Sequence, residues 1–306
     1  MFDSQAGGHV GVADDPDVAG RPLATGVPGV YLYPGSFETI IGLLRQGIAA
    51  MATDEPFRRL AIPPVISRRT IEHAGYVKTF PHLLGTVHSY TGDSRRWSAL
   101  APLVDEGGEW HAEQRISDLV LLPAACYPVY DTLTDQALDG PRKFAVEGNC
   151  FRQEATSETG RLRTFRMVEL VTAATPDYCV GWRAHWLERV TGWLTSLGLP
   201  VDVEVADDPF FGPGKKLFQA AQRMQELKLE LRVPLADGLV QAVASANYHK
   251  DHFGETFRFT CDGEVGNTSC MAFGLERIAL ALINAHGPDS RTWPDGVLAA
   301  LGGGHD

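Results

Sequence analysis

The sequence lacks any long apolar run. No stretch of about 18 consecutive apolar residues occurs, so no segment predicts a transmembrane helix. The amino-terminal run MFDSQAGGHVGVADDPDVAG lacks the basic start and the apolar centre of a signal peptide. We therefore expect a soluble, globular, cytoplasmic protein without a membrane partner.

Cysteine is scarce, and no CxxC pair is present. The five cysteines lie at wide and irregular spacing: Cys126, Cys150, Cys179, Cys261 and Cys270. An odd number at such spacing argues against a disulfide framework. A metal site would have to take its ligands from distant segments, and counting cysteines alone does not establish one.

Basic residues are outnumbered, since 27 Lys and Arg stand against 38 Asp and Glu for a formal net charge of -11. A surface of this sign repels phosphate backbones, which disfavours a large nucleic-acid footprint. Basic pairs such as Lys215-Lys216 do occur, although most such pairs are solvated surface charge. With 44% hydrophobic residues, 306 residues suffice for one large domain with insertions or two modest ones.

The chain begins without apolar periodicity. Residues 1–30 are rich in Gly, Ala, Asp and Pro, which predicts a flexible leader. Apolar residues then recur at helical spacing over residues 37–51, which predicts a helix that serves as core or as a dimer face. A short apolar run at 118–129, broken by two prolines, predicts a buried strand that enters a loop containing Cys126.

A long β-hairpin is predicted from two strands, at residues 144–154 and 163–172, joined by ATSETGRLR. The second-half strands lie close together with little room for crossover helices, which predicts an α+β class with a mostly antiparallel sheet. The other predicted elements are helices at 184–197 and 217–228, the second within a candidate insertion at 209–228, strands at 228–233, 239–245 and 256–261, and a closing helix at 274–284.

The hairpin carries functional side chains with the strand period of two. Its faces present Cys150, Arg152 and Glu154 on the first strand and Phe165, Met167 and Glu169 on the second. Phe165 and Glu169 lie about 13 Å apart at strand rise, so an aromatic plate and a carboxylate stand at opposite ends of one groove. This spacing suits an adenine at one end and a second substrate at the other. Arg161 and Arg163 of the loop can close over phosphates.

Two runs resemble signature motifs of the class II aminoacyl-tRNA synthetases. FRQE, a loop with arginines and FRMVEL resemble motif 2, and GNCFRQE is similar to the seryl enzymes in particular. MAFGLERIALAL at residues 271–282 resembles motif 3, in which Gly-Leu-Glu-Arg opens a helix. Gly274 would allow close backbone approach to a nucleotide, and Arg277 adds its charge to the positive helix end. Each run alone also fits an ordinary hairpin face or helix start, whereas both in order favour the family.

The resemblance implies a class II synthetase-like catalytic domain over residues 31–306, with an antiparallel sheet flanked by helices. It implies that ATP activates an amino acid as its aminoacyl adenylate. Arg152 would hold the α-phosphate and Arg277 the β/γ end, as the two catalytic arginines. The other ATP contacts that it implies are Arg161 at the β/γ end, Glu154 and Phe165 at adenine, Leu162 and Gln241.

Gln241 marks a departure from the seryl enzymes. These carry a Glu near the start of an EISSxSN-like segment that helps to bind ATP-bound magnesium, whereas QAVASAN places Gln241 there. A neutral amide still contacts ATP, and Mg²⁺ would then be held mainly by phosphates and water.

The resemblance also implies a metal site. In this fold class Glu169 and the GNTSC turn converge on the amino-acid pocket, which would bring Cys126, Glu169 and Cys270 together. Two thiolates and one carboxylate leave one position of a tetrahedral zinc open for an α-amino group. This ligand set resembles the archaeal-type seryl-tRNA synthetases and their stand-alone relatives, the amino acid:[carrier protein] ligases.

Other candidate ligands are less favoured. Cys150 is the rival thiol, but it shares a face with Arg152 and lies early in motif 2, so Cys126 is preferred. Cys179 and Cys261 are expected to be inert buried thiols. His249 and His252 suggest another metal site, yet a structural role is favoured because no third ligand of the usual kind is evident.

The acceptor of the activated amino acid is a separate question. A seryl-tRNA synthetase needs a tRNA-binding extension, which the first 30 residues cannot form, and the net charge is acidic, so tRNA is a poor candidate. The chain instead resembles the carrier-protein ligases, which load a phosphopantetheine thiol. Lys215 and Lys216, beside the candidate insertion helix, are then candidates to face an acidic carrier protein.

The resemblance further implies glycine or alanine as the substrate, and serine as a less favoured one. It also implies a homodimer. Two alternatives remain open. One is a seryl-type tRNA-charging enzyme with a detached tRNA-binding partner. The other is a non-catalytic paralogue that binds an adenylate or an amino acid, against which the intact set of Arg152, Glu154, Phe165 and Arg277 argues.

Overall fold

The computed structural model describes residues 20–302, except residues 157 and 237, so residues 1–19 of the predicted leader lie outside the described residues. The first half of the chain contains β1 (Leu23–Ala24), β2 (Tyr31–Leu32), α1 (Gly35–Met51), β3 (Arg58–Ile62), β4 (Val65–Ser67), α2 (Arg68–His73), α3 (Tyr76–Thr79), β5 (Thr86–Tyr90), α4 (Ser94–Asp105), β6 (Gln114–Leu121) and α5 (Tyr127–Asp131).

The second half contains the predicted hairpin and most of the central sheet. Its elements are β7 (Ala137–Leu138), β8 (Arg142–Phe151), β9 (Thr164–Ala174), α6 (Pro176–Ser196), β10 (Asp202–Val205), α7 (Lys215–Met224), β11 (Lys228–Ala236), β12 (Leu239–Lys250), α8 (His252–Phe257), β13 (Thr260–Cys261), β14 (Glu264–Val265), β15 (Asn267–Gly274), α9 (Leu275–His286) and α10 (Asp295–Ala300).

A seven-stranded sheet organises the fold, in the strand order β10-β11-β12-β15-β9-β8-β3. All neighbouring pairs are antiparallel except β3 and β8, which are parallel. The short connections from β8 to β9 and from β11 to β12 leave no room for a crossover helix, so these strands must return antiparallel. The predicted α+β class is confirmed.

One face of the sheet is covered by long helices. The apolar stripe of α1 is buried, as its helical spacing predicts, and packs with α6 and α9 in the larger core. The helix predicted at 184–197 begins earlier, at Pro176, where the proline fits the first turn. Helix α10 lies beyond the helix that was expected to close the chain. In the ranges 20–156, 158–236 and 238–302, each helix falls short of the length or hydrophobicity of a membrane span.

The opposite face of the sheet packs against shorter elements. A three-stranded sheet in the order β4-β6-β5, together with α2, α5 and α8, surrounds a second buried cluster. Tyr130 of α5 and Phe253 of α8 stack there with 3.8 Å between ring centroids. The strands β3 to β5 and helices α2 to α4 were not assigned from the sequence. This second layer encloses the functional face of the hairpin.

Part of the predicted leader is folded, which corrects that prediction for residues 20–30. Strands β1 and β2 pair antiparallel as a small hairpin. The carbonyl oxygen of Gly29 accepts a hydrogen bond of 2.7 Å from the backbone N–H of Arg163. Gly29 has φ +74°, and a Cβ there would lie 2.4 Å from the Cβ of Ala155. The glycine therefore permits a close contact between this hairpin and the loop that joins β8 to β9.

The strand predicted at residues 256–261 is wrong for most of its length. Helix α8 continues to Phe257, and only Thr260–Cys261 is extended. Phe253 and Phe257 are both buried, and their spacing of four residues places them on one face of the helix. The short apolar run did not distinguish helix from strand, which is the usual ambiguity at this length.

The candidate insertion contains the short helix α7, which ends earlier than predicted, at Met224. The preceding segment crosses to the region of α3, where the backbone N–H of Phe211 donates to the carbonyl oxygen of Thr79 at 2.9 Å. The ring of Phe210 stacks on Phe80, with centroids 5.3 Å apart. The insertion therefore packs over the end of the hairpin groove.

Candidate functional site

Arg152 lies where β8 ends. Its backbone N–H donates to the carbonyl oxygen of Arg163 at 2.9 Å, which closes the base of the loop at residues 153–162. Its Nε donates to the carbonyl oxygen of Pro123 at 3.4 Å, and its guanidinium lies over the ring of Phe165. A cation held against an aromatic face is thus placed at the head of the groove.

A cleft opens beside this pair, and its wall contains six of the seven residues that were predicted to bind ATP. They are Arg152, Glu154, Arg161, Leu162, Phe165 and Arg277. Met167, Lys228, Glu230 and Glu276 also line the cleft. Arg163 does not line this cleft, and its backbone bonds to Gly29 and to Arg152. We refer to this space as the nucleotide cleft.

Gln241, the seventh predicted residue, lies beneath the loop and is 5% exposed. Its Nε2 donates to Glu158 Oε1 at 2.6 Å and to the carbonyl oxygen of Thr159 at 2.8 Å. Gly160 has φ +79°, and a Cβ there would lie 2.6 Å from Gln241 Oε1. Gln241 therefore fastens the loop in this structure, and its contact with ATP stays a prediction.

Arg277 projects from the first turn of α9 towards the same loop. Its Nε donates to the carbonyl oxygen of Gly160 at 2.8 Å, and its Nη1 donates to that of Ala242 at 2.8 Å. Burial, together with the charges of Arg152 and Arg161, lowers the pKa of Arg277 to about 10. Three guanidinium groups thus converge on one cleft, which favours a polyanion.

A second cavity of about 650 Å³ adjoins the nucleotide cleft. Both spaces are lined by Arg152, Met167, Lys228, Ser245 and Ala272. Along β9, Phe165 faces the cleft and Glu169 faces the second cavity, which is the arrangement that the strand period predicts. We call the second space the amino-acid cavity.

Cys126, Glu169 and Cys270 meet in the wall of the amino-acid cavity. One ligand atom of each lies within 4.8 Å of the others, and all three residues are buried. The turn before α5, strand β9 and strand β15 each supply one of them, and the backbone N–H of Cys126 donates to Glu169 Oε1 at 3.1 Å. The fold therefore brings together the three residues that the resemblance implied as metal ligands, and their binding of a metal stays a prediction.

The chemistry of this cluster fits zinc. Contact with the Cys270 sulfur and burial raise the pKa of Cys126 well above its ordinary value, and burial raises the pKa of Glu169. Acids in such surroundings keep their protons unless a cation lies among them. Sulfur donors suit zinc better than magnesium or calcium, and three protein ligands leave a position for substrate.

Strand β12 supplies two further side chains to the cluster. Asn247 Nδ2 donates to Cys270 Sγ at 3.4 Å, and His249 Nε2 lies 3.8 Å from the same sulfur. The other ring nitrogen of His249 lies 2.9 Å from the hydroxyl of Thr268. Burial, followed by the neighbouring His252, lowers the pKa of His249 to about 4, so the ring is neutral. This contact was missed, because the sequence favoured a structural role for His249.

The remaining candidate ligands lie elsewhere. Cys150 is buried with its sulfur 4.0 Å from the carbonyl oxygen of Gly148, outside the cluster. Cys179 and Cys261 are buried free thiols, as expected. His252 lies 3.2 Å from the carbonyl oxygen of Ala74. Within the part of the chain that the structure describes, His249 and His252 do not belong to a second group of three possible metal ligands.

Lys228 lies at the junction of the two spaces and was not singled out in the sequence. Its Nζ is 2.7 Å from Asp208 Oδ1 and 3.1 Å from Glu230 Oε1. Burial alone would lower the pKa of Lys228, but the two carboxylates raise it, so the side chain stays charged. Asp208 comes from the segment before α7. The one sequence signal that could have indicated this charged group at the junction is the position of a lysine on the groove face of a strand.

Comparison with known proteins gives the family. No family profile matches the chain. Amino acid–[acyl-carrier-protein] ligase 1 of Bradyrhizobium diazoefficiens is 38% identical over 284 residues, covering 90% of this chain and 86% of its own length. Ligase 2 of the same organism is 37% identical over 287 residues, covering 90% of this chain and 84% of its own length. The type-2 serine–tRNA ligase of Methanopyrus kandleri is 28% identical over 197 residues, or 60% of this chain and 37% of that protein.

Solved structures share the fold. The seryl-tRNA synthetase of M. kandleri, in complex with A. aeolicus tRNASec, has a TM-score of 0.78 at 23% identity, covering 93% of this chain and 59% of that one. The seryl-tRNA synthetase of Pyrococcus horikoshii, complexed with ATP, has a TM-score of 0.61 at 16% identity, covering 85% and 54%. The predicted class II synthetase-like fold is confirmed. Because the similarity to the two Bradyrhizobium ligases spans 90% of the chain, this chain belongs to the amino acid–[acyl-carrier-protein] ligase family.

Proposed function

We propose that this protein uses ATP to activate a small amino acid, glycine or alanine, as its aminoacyl adenylate, and transfers the aminoacyl group to the phosphopantetheine thiol of an acyl carrier protein. The observation that carries the proposal is the shared wall of the nucleotide cleft and the amino-acid cavity at Arg152. A nucleotide in the cleft and an amino acid in the cavity would meet at this guanidinium. Family membership supports the ligase reaction and the acceptor.

In the first step a carboxylate oxygen of the amino acid attacks the α-phosphorus of ATP, and pyrophosphate leaves. Arg152 stabilises the charge that develops on the α-phosphate, and Lys228 adds a second cation at the same junction. No protein nucleophile is required, so the chain contributes position and charge.

The rest of the cleft holds the ends of ATP. Arg161 and Arg277 bind the β- and γ-phosphates from the loop and the helix sides, while Leu162 lines the wall. Phe165 and Glu154 bind adenine, the ring by stacking and the carboxylate by hydrogen bonding. Mg²⁺ accompanies ATP and is held mainly by phosphate oxygens and water, because Gln241 is engaged with the loop.

Cys126, Glu169 and Cys270 would hold zinc, which when bound supplies a Lewis acid for an uncharged α-amino group. Asn247 and His249 hold the Cys270 sulfur in place from β12. The backbone N–H of Cys126 donates to one oxygen of Glu169 and so restricts the orientation of this carboxylate.

The surroundings of the cluster support a small side chain. Tyr127 and Phe253 both line the amino-acid cavity and meet edge to face, with centroids 5.8 Å apart. Tyr127 follows Cys126 in the chain, and Phe253 contacts the ring of His249 with 5.1 Å between centroids, so both rings lie beside the cluster. We expect glycine or alanine to be preferred over serine, because a larger side chain would meet these two rings.

In the second step the phosphopantetheine thiol gives up its proton to water and its sulfur attacks the carbonyl carbon of the adenylate. A thioester forms, and AMP leaves with the electron pair of the broken C–O bond. The amino-acid cavity is larger than a small amino acid requires. Four further aromatic residues line it, which suits a slender organic arm: Tyr76, Phe80, Phe210 and Phe218.

Helix α7 supports a docking site for the carrier protein. Leu217 and Met224 are 73% and 85% exposed on this helix, and Lys215 and Lys216 are exposed in its first turn. Exposed apolar side chains beside basic ones are typical of a surface that receives an acidic partner. Phe218 of the same helix lines the amino-acid cavity, so a partner on α7 would lie at its entrance.

We also propose a homodimer. Strand β3 forms the end of the seven-stranded sheet, and within the described residues no strand pairs with its outer side. An unpaired edge strand is a template for a second chain. Analytical ultracentrifugation tests this proposal, and a single monomeric species across the micromolar range would contradict it.

The function is tested in two assays with the purified, zinc-loaded protein. Amino-acid-dependent exchange of labelled pyrophosphate into ATP, across all twenty amino acids, should respond to glycine or alanine. Labelled amino acid should then be transferred to holo-carrier proteins and to free pantetheine, and not to the same carriers without the phosphopantetheine group. Charging of total tRNA would favour the seryl-type alternative. Absence of exchange with glycine, alanine and serine would favour the binding paralogue and end the proposal.

A further inference from the structure

A buried ion pair joins β9 to α9 beside the nucleotide cleft. Arg166 Nε donates to Glu276 Oε1 at 2.7 Å, and the backbone N–H of Arg166 donates to Glu276 Oε2 at 2.8 Å. Glu276 is 1% exposed. Because one residue engages both oxygens, the position and the orientation of this carboxylate are fixed.

The same arginine also reaches α1. Its Nη1 donates to Glu38 Oε2 at 2.6 Å, and its guanidinium lies over the ring of Tyr33, 5.2 Å from the centroid. Burial opposes the charge of Arg166, but Glu38 and Glu276 raise its pKa, so the guanidinium stays protonated. Three elements that are distant in sequence therefore meet at one cation.

Glu276 and Arg277 are consecutive residues in the first turn of α9, and they contact different parts of the chain. Glu276 bonds to Arg166 of β9, whereas Arg277 bonds to the carbonyl oxygens of Gly160 and Ala242. Consecutive residues are about 100° apart around a helix axis. A bond that fixes Glu276 therefore also fixes the rotation of the turn from which Arg277 projects.

We propose that Arg166 and Glu276 are positioning residues that set where Arg277 meets the pyrophosphate end of ATP. The inference rests on the proposed function, because it assumes ATP in the nucleotide cleft. It assigns a role in phosphate binding to an ion pair whose carboxylate lies in the wall of the cleft but is engaged by Arg166. The Glu276 carboxylate acts through the helix turn, since both of its oxygens are occupied by Arg166.

The test compares binding of ATP and pyrophosphate, which carry the β- and γ-phosphates, with binding of AMP, which lacks them. Glu276→Gln keeps the shape and an acceptor for the Arg166 N–H but removes the charge that orients the guanidinium. We expect the Kd for ATP and the KM for pyrophosphate in the exchange assay to rise about tenfold, because a small displacement of a phosphate contact is costly. The Kd for AMP and the KM for the amino acid should not change, because AMP lacks the β- and γ-phosphates.

Two further variants control for folding and for the α1 contact. Arg166→Lys keeps a cation but loses the paired geometry, and it should move the same two constants in the same direction. Glu38→Ala removes the bond to α1 and leaves the bonds between Arg166 and Glu276 in place, and it should leave the two constants within twofold of wild type. AMP binding and the thermal unfolding midpoint show whether each variant is folded.

The possible outcomes distinguish this inference from the proposed function. Unchanged ATP and pyrophosphate constants in Glu276→Gln and Arg166→Lys overturn the inference alone. So does a loss of AMP binding that parallels the loss of ATP binding, because that result indicates a general structural role. Wild-type protein that binds neither ATP nor AMP overturns the proposed function and this inference with it.

Discussion

The guanidinium of Arg152 lies over the ring of Phe165, with 5.5 Å between Cζ and the ring centroid. The register of the hairpin creates this contact, because Cys150 lies opposite Phe165 and Arg152 follows two residues later. The ring restricts the positions open to the cation. The α-phosphate and the adenine are therefore expected to bind next to each other, on the two members of one pair.

Replacing either member should affect a different kinetic constant. Arg152→Lys keeps the charge but loses the planar fork, so we expect the exchange kcat to fall by about 10²–10³. Phe165→Leu removes the stacking face, so the KM for ATP should rise about tenfold with a smaller effect on kcat. Steady-state exchange kinetics measure both constants. An Arg152→Lys enzyme within threefold of wild type would contradict the assigned role.

Cys270→Ser should abolish metal binding. The variant replaces a soft sulfur ligand by a weakly acidic hydroxyl, and we expect its zinc content after dialysis against a chelator to fall at least about tenfold. Cys261→Ser is the matched control, because Cys261 is an equally buried thiol outside the cluster. Elemental analysis measures the zinc. Equal zinc in both variants, or normal turnover by metal-free wild type, would rule out the assigned site.

Asp208→Asn should change the acid sensitivity of the fold. Although burial raises the pKa of Asp208, the charge of Lys228 and the amide of Gln222 bring it below its ordinary value of 3.8. The stabilisation from this carboxylate is therefore complete above about pH 3.8 and is lost as the pH falls through the lower folded value. We expect the variant to lose about 1 kcal/mol of unfolding free energy at pH 7, since the side chain is partly exposed.

Denaturant unfolding at pH 7 and at pH 3 or below measures this effect. The difference between wild type and Asp208→Asn should shrink as the pH falls, because protonated Asp208 no longer attracts Lys228. Arg152 also faces this carboxylate and remains charged throughout. A difference that is constant over the whole range would show that Asp208 contributes through shape alone.

A double variant, Lys215→Glu with Lys216→Glu, should separate carrier docking from chemistry. Both side chains are exposed on α7 and lie outside the nucleotide cleft. We expect the KM for the carrier protein to rise about tenfold, because like charges oppose the encounter. Pyrophosphate exchange and transfer to free pantetheine should be unchanged. Equal loading of the carrier by wild type and variant would place the docking surface elsewhere.

Gln241→Glu should release the loop at residues 153–162. The amide of Gln241 donates to Glu158 and to the backbone of Thr159, whereas a carboxylate at this position would repel Glu158 and donate nothing. Amide hydrogen exchange in the loop should become faster, while that of β8 and β9 should not change. If the variant instead required less magnesium for exchange without loosening the loop, Gln241 would be part of the magnesium site.

The hairpin and the final helix could be predicted from the sequence because their charged, aromatic and apolar side chains recur at fixed periods. Arg152, Glu154, Phe165 and Glu169 lie on β8 and β9 or directly beside them, so the strand period and a family resemblance were enough to place them. The layer formed by β3 to β5 and α2 to α4 could not be assigned. Its short elements bury few apolar residues each and carry no clear periodicity.

Contacts between residues that are distant in sequence were also not predictable. In the sequence, Lys228 looks like an ordinary lysine of a strand. Its ion pair with Asp208, which comes from the insertion, is visible only in the fold. In the sequence, His249 looks like a histidine of a loop. The pairing of β12 with β15 brings it to the Cys270 sulfur. Gln241 reads as a substituted magnesium ligand, and only the folded loop shows that its amide is bonded to residues some 80 positions earlier.

The hydrogen bond between Gly29 and Arg163 ties the β1–β2 hairpin to the loop at residues 153–162, which would close over ATP. The hairpin therefore restricts the movement of this loop. Detaching the hairpin should let the loop open more often, so that pyrophosphate escapes sooner and ATP is captured less efficiently. Any side chain at position 29 would press on the same loop. A segment more than 120 residues before the loop in the sequence therefore helps to hold the loop in place.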